Sequence, residues 1–181
     1  MTLALALGAV VFVAMIAEAV VSRRHDAALR ARGAVEPPGD VIAAMQLAYP
    51  GVFVAMLAEG AWRGIPADAI FFAGLAVLAM AKALKYWAIA SLGERWTFRV
   101  LVPPGAPRVV HGPYAFMAHP NYVAVAGEIA GCAIAAHAIV SGPVAFVLFG
   151  VLMLQRIRIE ARALAVPPAV PRQTPATTRL N

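Results

Sequence analysis

Residues 2–21 read TLALALGAVVFVAMIAEAVV, twenty residues in which Glu18 is the sole charge. As α-helix such a run rises about 30 Å, the thickness of a bilayer's hydrocarbon core. Ala17-Glu18-Ala19 fits a small-x-small cleavage site. However, no basic segment precedes the run, and it passes straight into Ser22-Arg23-Arg24-His25, so it is expected to remain an uncleaved first span. The rest of the chain has the same character. Of its 181 residues, 62% are hydrophobic and 13% charged, whereas soluble domains are roughly 45–50% apolar and about 25% charged. With a mean hydropathy of +0.78 and a mass of 19.0 kDa, the chain reads as one small polytopic membrane domain, and a soluble globular enzyme is excluded.

Outward from that first span, residues 22–40 form a polar connection with Arg23, Arg24, Arg30 and Arg32. It closes on Pro37-Pro38-Gly39-Asp40, a breaker cluster whose aspartate is placed to cap the next helix. A second span is expected over residues 41–59, with Pro50 inside it. Asp68 is expected to cap a third span that ends near residue 92, where Lys82, Lys85, Tyr86 and Trp87 read as snorkelling and anchoring residues at the interface. Residues 93–121 hold five prolines, which breaks any continuous helix and requires a folded loop. A fourth span is expected over residues 122–140, followed by a turn at Ser141-Gly142-Pro143. The fifth starts at Val144 and must continue through Arg156 and Glu160 to about residue 164. Its twelve uncharged residues before Arg156 would otherwise rise only about 18 Å. The fold class is therefore an all-α integral membrane protein of about five transmembrane helices, with a loop between helices 3 and 4 and a helix 4–5 hairpin. Pro167, Pro168, Pro171 and Pro175 mark residues 165–181 as a disordered tail.

The net charge of +6 does not signal nucleic acid, because the charges sit between the apolar runs. With Lys82 and Lys85 left in the third span, twelve of the other thirteen basic residues fall on one side, and Arg63 alone on the other. By the positive-inside rule the N-terminus is outside and the C-terminus cytoplasmic. Cys132 has no partner for a disulfide and no metal-ligand spacing, and reads as a small buried hydrophobe.

Chemistry is to be sought where polar groups are kept at membrane depth. Arg156 and Glu160 are four apart and share a helix face, while Arg158 and Arg162 share a face turned about 200° away. Arg156 and Glu160 therefore point into the bundle. Glu128, seven residues beyond Asn121, turns another carboxylate inward. The adjoining loop GPYAFMAHPNY, residues 112–122, adds two tyrosines and His119. Spacing alone supports a cytoplasm-facing polar pocket at one end of a membrane bundle, with no metal site. An intramembrane acid such as Glu18 leaves open a small proton-coupled transporter.

Taken together, Leu92-Gly93-Glu94-Arg95-Trp96-Thr97, Gly112-Pro113-Tyr114, His119-Pro120-Asn121-Tyr122 and Arg156-Ile157-Arg158-Ile159-Glu160 resemble the C-terminal signature of the isoprenylcysteine carboxyl methyltransferase family. These are integral-membrane methyltransferases that use S-adenosylmethionine. The segment ALRARGAVE, residues 28–36, further resembles a bacterial subgroup linked to type III polyketide synthases, whose members O-methylate alkylresorcinols or alkylpyrones. The resemblance divides the chain into a three-helix membrane region at 1–91, a catalytic region at 92–164 and the tail.

It also implies a set of site residues. The cofactor would lie against Tyr114, His119, Pro120, Asn121 and Tyr122, with residues 106–109, including Val109, and Arg99 closing over it and Glu160 contacting it. Arg156 would hold the acidic group of a lipophilic substrate drawn from the bilayer, and Glu128 is the candidate base for a phenol or enol acceptor. Isoprenylcysteine-type carboxyl methylation and phospholipid N-methylation are the alternatives within the class. The sequence departs from the family pattern at Ala118, usually arginine, and Ala161, usually glutamate. A bacterial inner-membrane location follows, and the oligomeric state stays open.

Overall fold

The computed structural model describes residues 1–36, 38–101 and 109–165, with side chains to residue 162. The proline-rich tail beyond residue 165, and residues 106–108 of the stretch expected to close over the cofactor, lie outside the described residues.

Five α-helices make up the described chain: α1 (Thr2–Ala31), α2 (Ile42–Arg63), α3 (Ala69–Leu92), α4 (Pro120–Ala135) and α5 (Ser141–Ala165). Two short 3₁₀ turns, Gly93–Arg95 and Gly112–Ala115, lie between α3 and α4. Helices α1, α2 and α3 are long and apolar enough to cross a membrane.

Several boundaries differ from the sequence expectation. The polar segment after residue 21 is not a loop at first, since α1 runs on to Ala31. Arg23, Arg24 and Arg30 are good helix formers, so the helix continues past the apolar run. At 30 residues it is about 45 Å long and stands roughly 15 Å proud of a bilayer core. Asp40 does not cap α2, because its carboxylate is taken by Arg156. Asp68 does cap α3, accepting the Phe71 N–H at 2.9 Å. Helix α4 stops at Ala135 rather than at residue 140, and the chain turns at His137, a non-glycine residue with φ of 52° whose ring Nε2 lies 3.2 Å from Asp68. The turn expected at Ser141-Gly142-Pro143 is instead the first turn of α5, where proline's missing N–H has no intrahelical partner to lose.

Close approach of α3 and α4 sets the bundle's geometry. A Cβ on Gly74 would come within 2.3 Å of the Ala135 backbone nitrogen, and one on Gly131 within 2.6 Å of that of Leu78. Gly127, Gly131 and Ala135 recur every fourth residue and give α4 a flat stripe against α3, the small-residue packing that membrane helices use when no hydrophobic drive exists between them. Around this pair, Leu7, Val11, Phe53, Met56, Ile129, Cys132 and Phe149 form the core.

Candidate active site

The loop after α3 is fixed from both ends. Trp96 is 2% exposed; its carbonyl accepts from His25 Nδ1 at 2.8 Å, and its indole N–H points at Asn121 Oδ1 at 3.3 Å. The Phe98 N–H donates to the buried Ser22 hydroxyl at 2.8 Å. The first loop motif is thereby held between α1 and the start of α4. Gly112 then passes Ser91 with φ of 61°, where a Cβ would meet the Ser91 hydroxyl at 2.1 Å, so both its conformation and its space require glycine. The 3₁₀ turn that follows presents Tyr114. His119 precedes α4, Pro120 opens it, and Tyr122 stands in its first turn.

Tyr122 joins the two groups singled out on α5. Its hydroxyl donates to Glu160 Oε2 at 2.9 Å and accepts from Arg156 Nε at 3.2 Å. Arg156, 4% exposed, also donates from Nη1 to Asp40 at 3.0 Å and from Nη2 to the Phe98 carbonyl. Three of its five N–H groups are thus committed and its charge is matched by Asp40. Glu160 keeps an open side, with 30% of its side chain exposed, and lies 3.8 Å from His119 Nδ1. The His119 and Tyr122 rings are 5.4 Å apart. Burial, helped by the nearby Glu160 charge, pushes the Tyr114 hydroxyl up to about 12, so it stays protonated at neutral pH.

A cavity of about 530 Å³ adjoins this set. Arg156, Tyr122, Asn121, Tyr49 and Lys85 line it, together with Phe12, Met15, Ile16 and Phe149. Behind Tyr49 and Lys85 lies a cluster of four charges, of which Glu18, Lys85 and Glu128 are buried and Lys82 half-buried. Lys82 is 2.7 Å from Glu18 and 3.1 Å from Glu128; Lys85 is 2.7 Å from Glu18 and 3.2 Å from Glu128. The Tyr49 hydroxyl donates to Glu128. The lysines therefore do not snorkel as the sequence suggested. Their heads turn inward because two carboxylates wait there, and in a membrane an opposite charge is the better solvent.

The residues expected at the site thus fall into groups. Tyr114, His119, Tyr122, Glu160 and Arg156 come together, and Asn121 and Pro120 support them. Arg99 is engaged by Glu36 at 2.7 Å and Asp26 at 3.6 Å. Burial would raise the Glu36 carboxyl, but hydrogen bonds from Arg99 and Arg30 hold it below its usual value. Half-buried Val109 adjoins the undescribed stretch. Glu128 is buried, as its register implied, yet its partners are Tyr49, Lys82 and Lys85. Asp40, Tyr49 and Lys85 were not anticipated. The signal available for the last was the charge balance within the apolar runs, two acids and two lysines.

The profile of the isoprenylcysteine carboxyl methyltransferase (ICMT) family matches residues 73–166, from within α3 to the end of α5. The chain belongs to this family of S-adenosylmethionine-dependent membrane methyltransferases. It is 31% identical over 159 residues to the uncharacterized protein YpbQ of Bacillus subtilis (strain 168), covering 86% of this chain and 93% of that one. It is 24% identical over 146 residues to an uncharacterized protein of Haemophilus influenzae, covering 80% and 85%. No solved structure matches.

The residues present fit S-adenosylmethionine. Glu160 offers a solvent-accessible carboxylate for an ammonium group, and the faces of Tyr114, His119 and Tyr122 suit adenine and a sulfonium cation.

Proposed function

We propose that the protein O-methylates an acidic oxygen, a phenol, enol or carboxylate, on a lipophilic substrate taken from the bilayer. The observation that carries this reading is the Tyr122 hydroxyl, hydrogen-bonded at once to Glu160 and to Arg156 at the cavity wall. One tyrosine spans the open carboxylate that suits the cofactor and the buried guanidinium that suits the acceptor, so two ligands held there would meet. S-adenosylmethionine supplies an electrophilic methyl group when bound. What the chain contributes is placement: Glu160, Tyr114 and His119 grip one partner, the remaining N–H groups of Arg156 orient the other, and the apolar wall of Phe12, Met15, Ile16 and Phe149 excludes water.

The N–H groups of Arg156 left over at the cavity wall favour an anionic oxygen over the ammonium of a phospholipid headgroup, which speaks against N-methylation. The ALRARGAVE segment supports an alkylresorcinol or alkylpyrone over an isoprenylcysteine. Family membership leaves the transporter reading without support. The accompanying topology is five spans in the bacterial inner membrane, N-terminus outside and C-terminus cytoplasmic, which puts Glu160 within reach of a water-soluble cofactor.

The test has two arms. Mass spectrometry of lipid extracts with and without the enzyme is expected to show a mass gain of one methylene unit on an acidic lipid. In detergent, calorimetry of Glu160→Gln is expected to show S-adenosylmethionine affinity reduced about 10–100-fold, the size of a lost hydrogen bond to a charged group. Unchanged affinity in a folded variant would remove Glu160 from the cofactor site.

A further inference from the structure

Resting on that reading, we propose that Tyr49 is the acid–base group of the acceptor side: its hydroxyl takes the proton of an un-ionised phenol or enol while passing its own to Glu128. The substrate class follows from the same geometry, because a carboxylate acceptor is already ionised at neutral pH and has no proton to give.

Glu128 is 1% exposed and is joined to the cavity wall by the Tyr49 hydroxyl and the Lys85 ammonium. A base at Glu128 therefore acts on a bound acceptor through one of these two. Lys85 is unsuited to accept a proton, since its ammonium is already spent on Glu18 at 2.7 Å and Glu128 at 3.2 Å. Tyr49 is suited. Its single proton points at Glu128, Lys85 Nζ lies 3.5 Å from its oxygen, and a hydroxyl has a second lone pair left for a donor in the cavity. Its ring is held in place by Phe53 at 5.0 Å, Phe149 at 5.2 Å and the Lys85 ammonium at 5.3 Å.

The charge count also favours the transfer. Glu18 from α1, Lys82 and Lys85 from α3 and Glu128 from α4 sum to zero; Cys132 also faces Tyr49, and Arg23, Asp26, Tyr122 and Arg156 line its cavity. When Glu128 gains a proton the cluster becomes net positive just as the acceptor becomes an anion, so the two charges attract across the tyrosine. In the step itself the acceptor's O–H bond breaks, its proton moves to Tyr49 and that of Tyr49 to Glu128. The freed electron pair on oxygen forms the bond to the methyl carbon as the carbon–sulfur bond breaks, and that bond's pair stays on sulfur. The proton returns to solvent between turnovers.

The experiment uses the full chain in detergent with S-adenosylmethionine and dodecylphenol. Tyr49→Phe is expected to lower kcat by about 10²–10⁴-fold, the usual contribution of a positioned acid–base group, with cofactor affinity and thermal midpoint held. The lost rate is expected to recover as pH rises, and at neutral pH with the ortho-nitro derivative of dodecylphenol, which ionises unaided. Without any methyl donor, the absorption band of the bound nitrophenolate is expected to sit at shorter wavelength in wild type than in Tyr49→Phe, because a tyrosine donor on its oxygen stabilises the anion. Should Tyr49→Phe not fold, Glu128→Gln must show the same loss and the same recovery. Normal turnover of dodecylphenol by either folded variant, or a loss that neither pH nor the nitro group repairs, overturns the proposal alone. A wild-type enzyme that methylates dodecanoic acid and not the phenol also overturns it while leaving methyl transfer intact. Transfer to none of the three acceptors overturns both readings.

Discussion

Arg156 shows how much of a residue's role is set by what it touches rather than by where it falls in a motif. The sequence places it on an inward face with Glu160, but its counter-charge comes from Asp40, 116 residues away, on a stretch that reads as a helix cap. That pairing has a measurable consequence. Removing Arg156 alone leaves the Asp40 carboxylate, 4% exposed, buried without a cation, which costs about 3–5 kcal/mol, whereas replacing both partners by apolar residues of similar volume is close to neutral. In thermal unfolding in detergent, Arg156→Leu is therefore expected to melt well below wild type and Arg156→Leu with Asp40→Leu to regain most of the loss. Both lose acceptor methylation. A double variant as unstable as the single would show that the Phe98 and Tyr122 contacts, not the ion pair, hold the helix end.

At the scale of elements, the α3–α4 contact rests on missing side chains. Gly131→Leu puts a side chain where a Cβ is already 2.6 Å from the Leu78 backbone. Overpacking of this kind costs about 1–3 kcal/mol where neighbours can shift, and here the neighbour is backbone. It is expected to separate α3 from α4 and abolish S-adenosylmethionine binding, because Tyr122 and His119 ride on the start of α4; Gly150→Leu, with open space around its Cβ, is expected to fold and bind normally. Binding retained in Gly131→Leu would contradict the close approach. The apolar runs were legible because twenty apolar residues have few other fates in a chain this hydrophobic. The motif residues Tyr114, His119, Tyr122 and Glu160 were legible as a set through the family resemblance, and Arg156 with Glu160 through helical spacing. The Gly127, Gly131 and Ala135 stripe was available at the same spacing. The end of α1 was not legible, since helix-forming arginines after an apolar run look like a loop to a hydropathy reading. Nor was the lysine cluster: which way a long cation bends is decided by carboxylates on two other helices, Glu18 and Glu128, and no local pattern carries that.

For the whole molecule, the contacts sort the connections into two ends of the bundle. His25 with Trp96, Arg32 with Glu94, Arg99 with Glu36 and Arg156 with Phe98 gather the end of α1, the α1–α2 connection, the loop after α3 and the end of α5 at one end. Glu59 with Arg63 and Ser141, and Asp68 with His137, gather the α2–α3 and α4–α5 connections at the opposite end. Among the described residues the first end carries Arg23, Arg24, Arg30, Arg32, Arg95, Arg99, Arg156, Arg158 and Arg162, the second only Arg63. Helix α4, at 16 residues, is about 24 Å long and matches a bilayer core by local thinning; by the positive-inside rule the partition supports the proposed topology, in which the arginine-rich end is cytoplasmic. A reporter that is active only in the cytoplasm is therefore expected to work when fused after residue 165 and to stay silent when fused before Met1. Moving the basic bias should move the protein: changing Arg23, Arg24, Arg30 and Arg32 to glutamine while adding lysines beside Arg63 is expected to weaken that preference. A signal from both fusions, or from the N-terminal fusion alone, would place Glu160 on the side without S-adenosylmethionine and would end the cytoplasmic cofactor site along with the five-span topology.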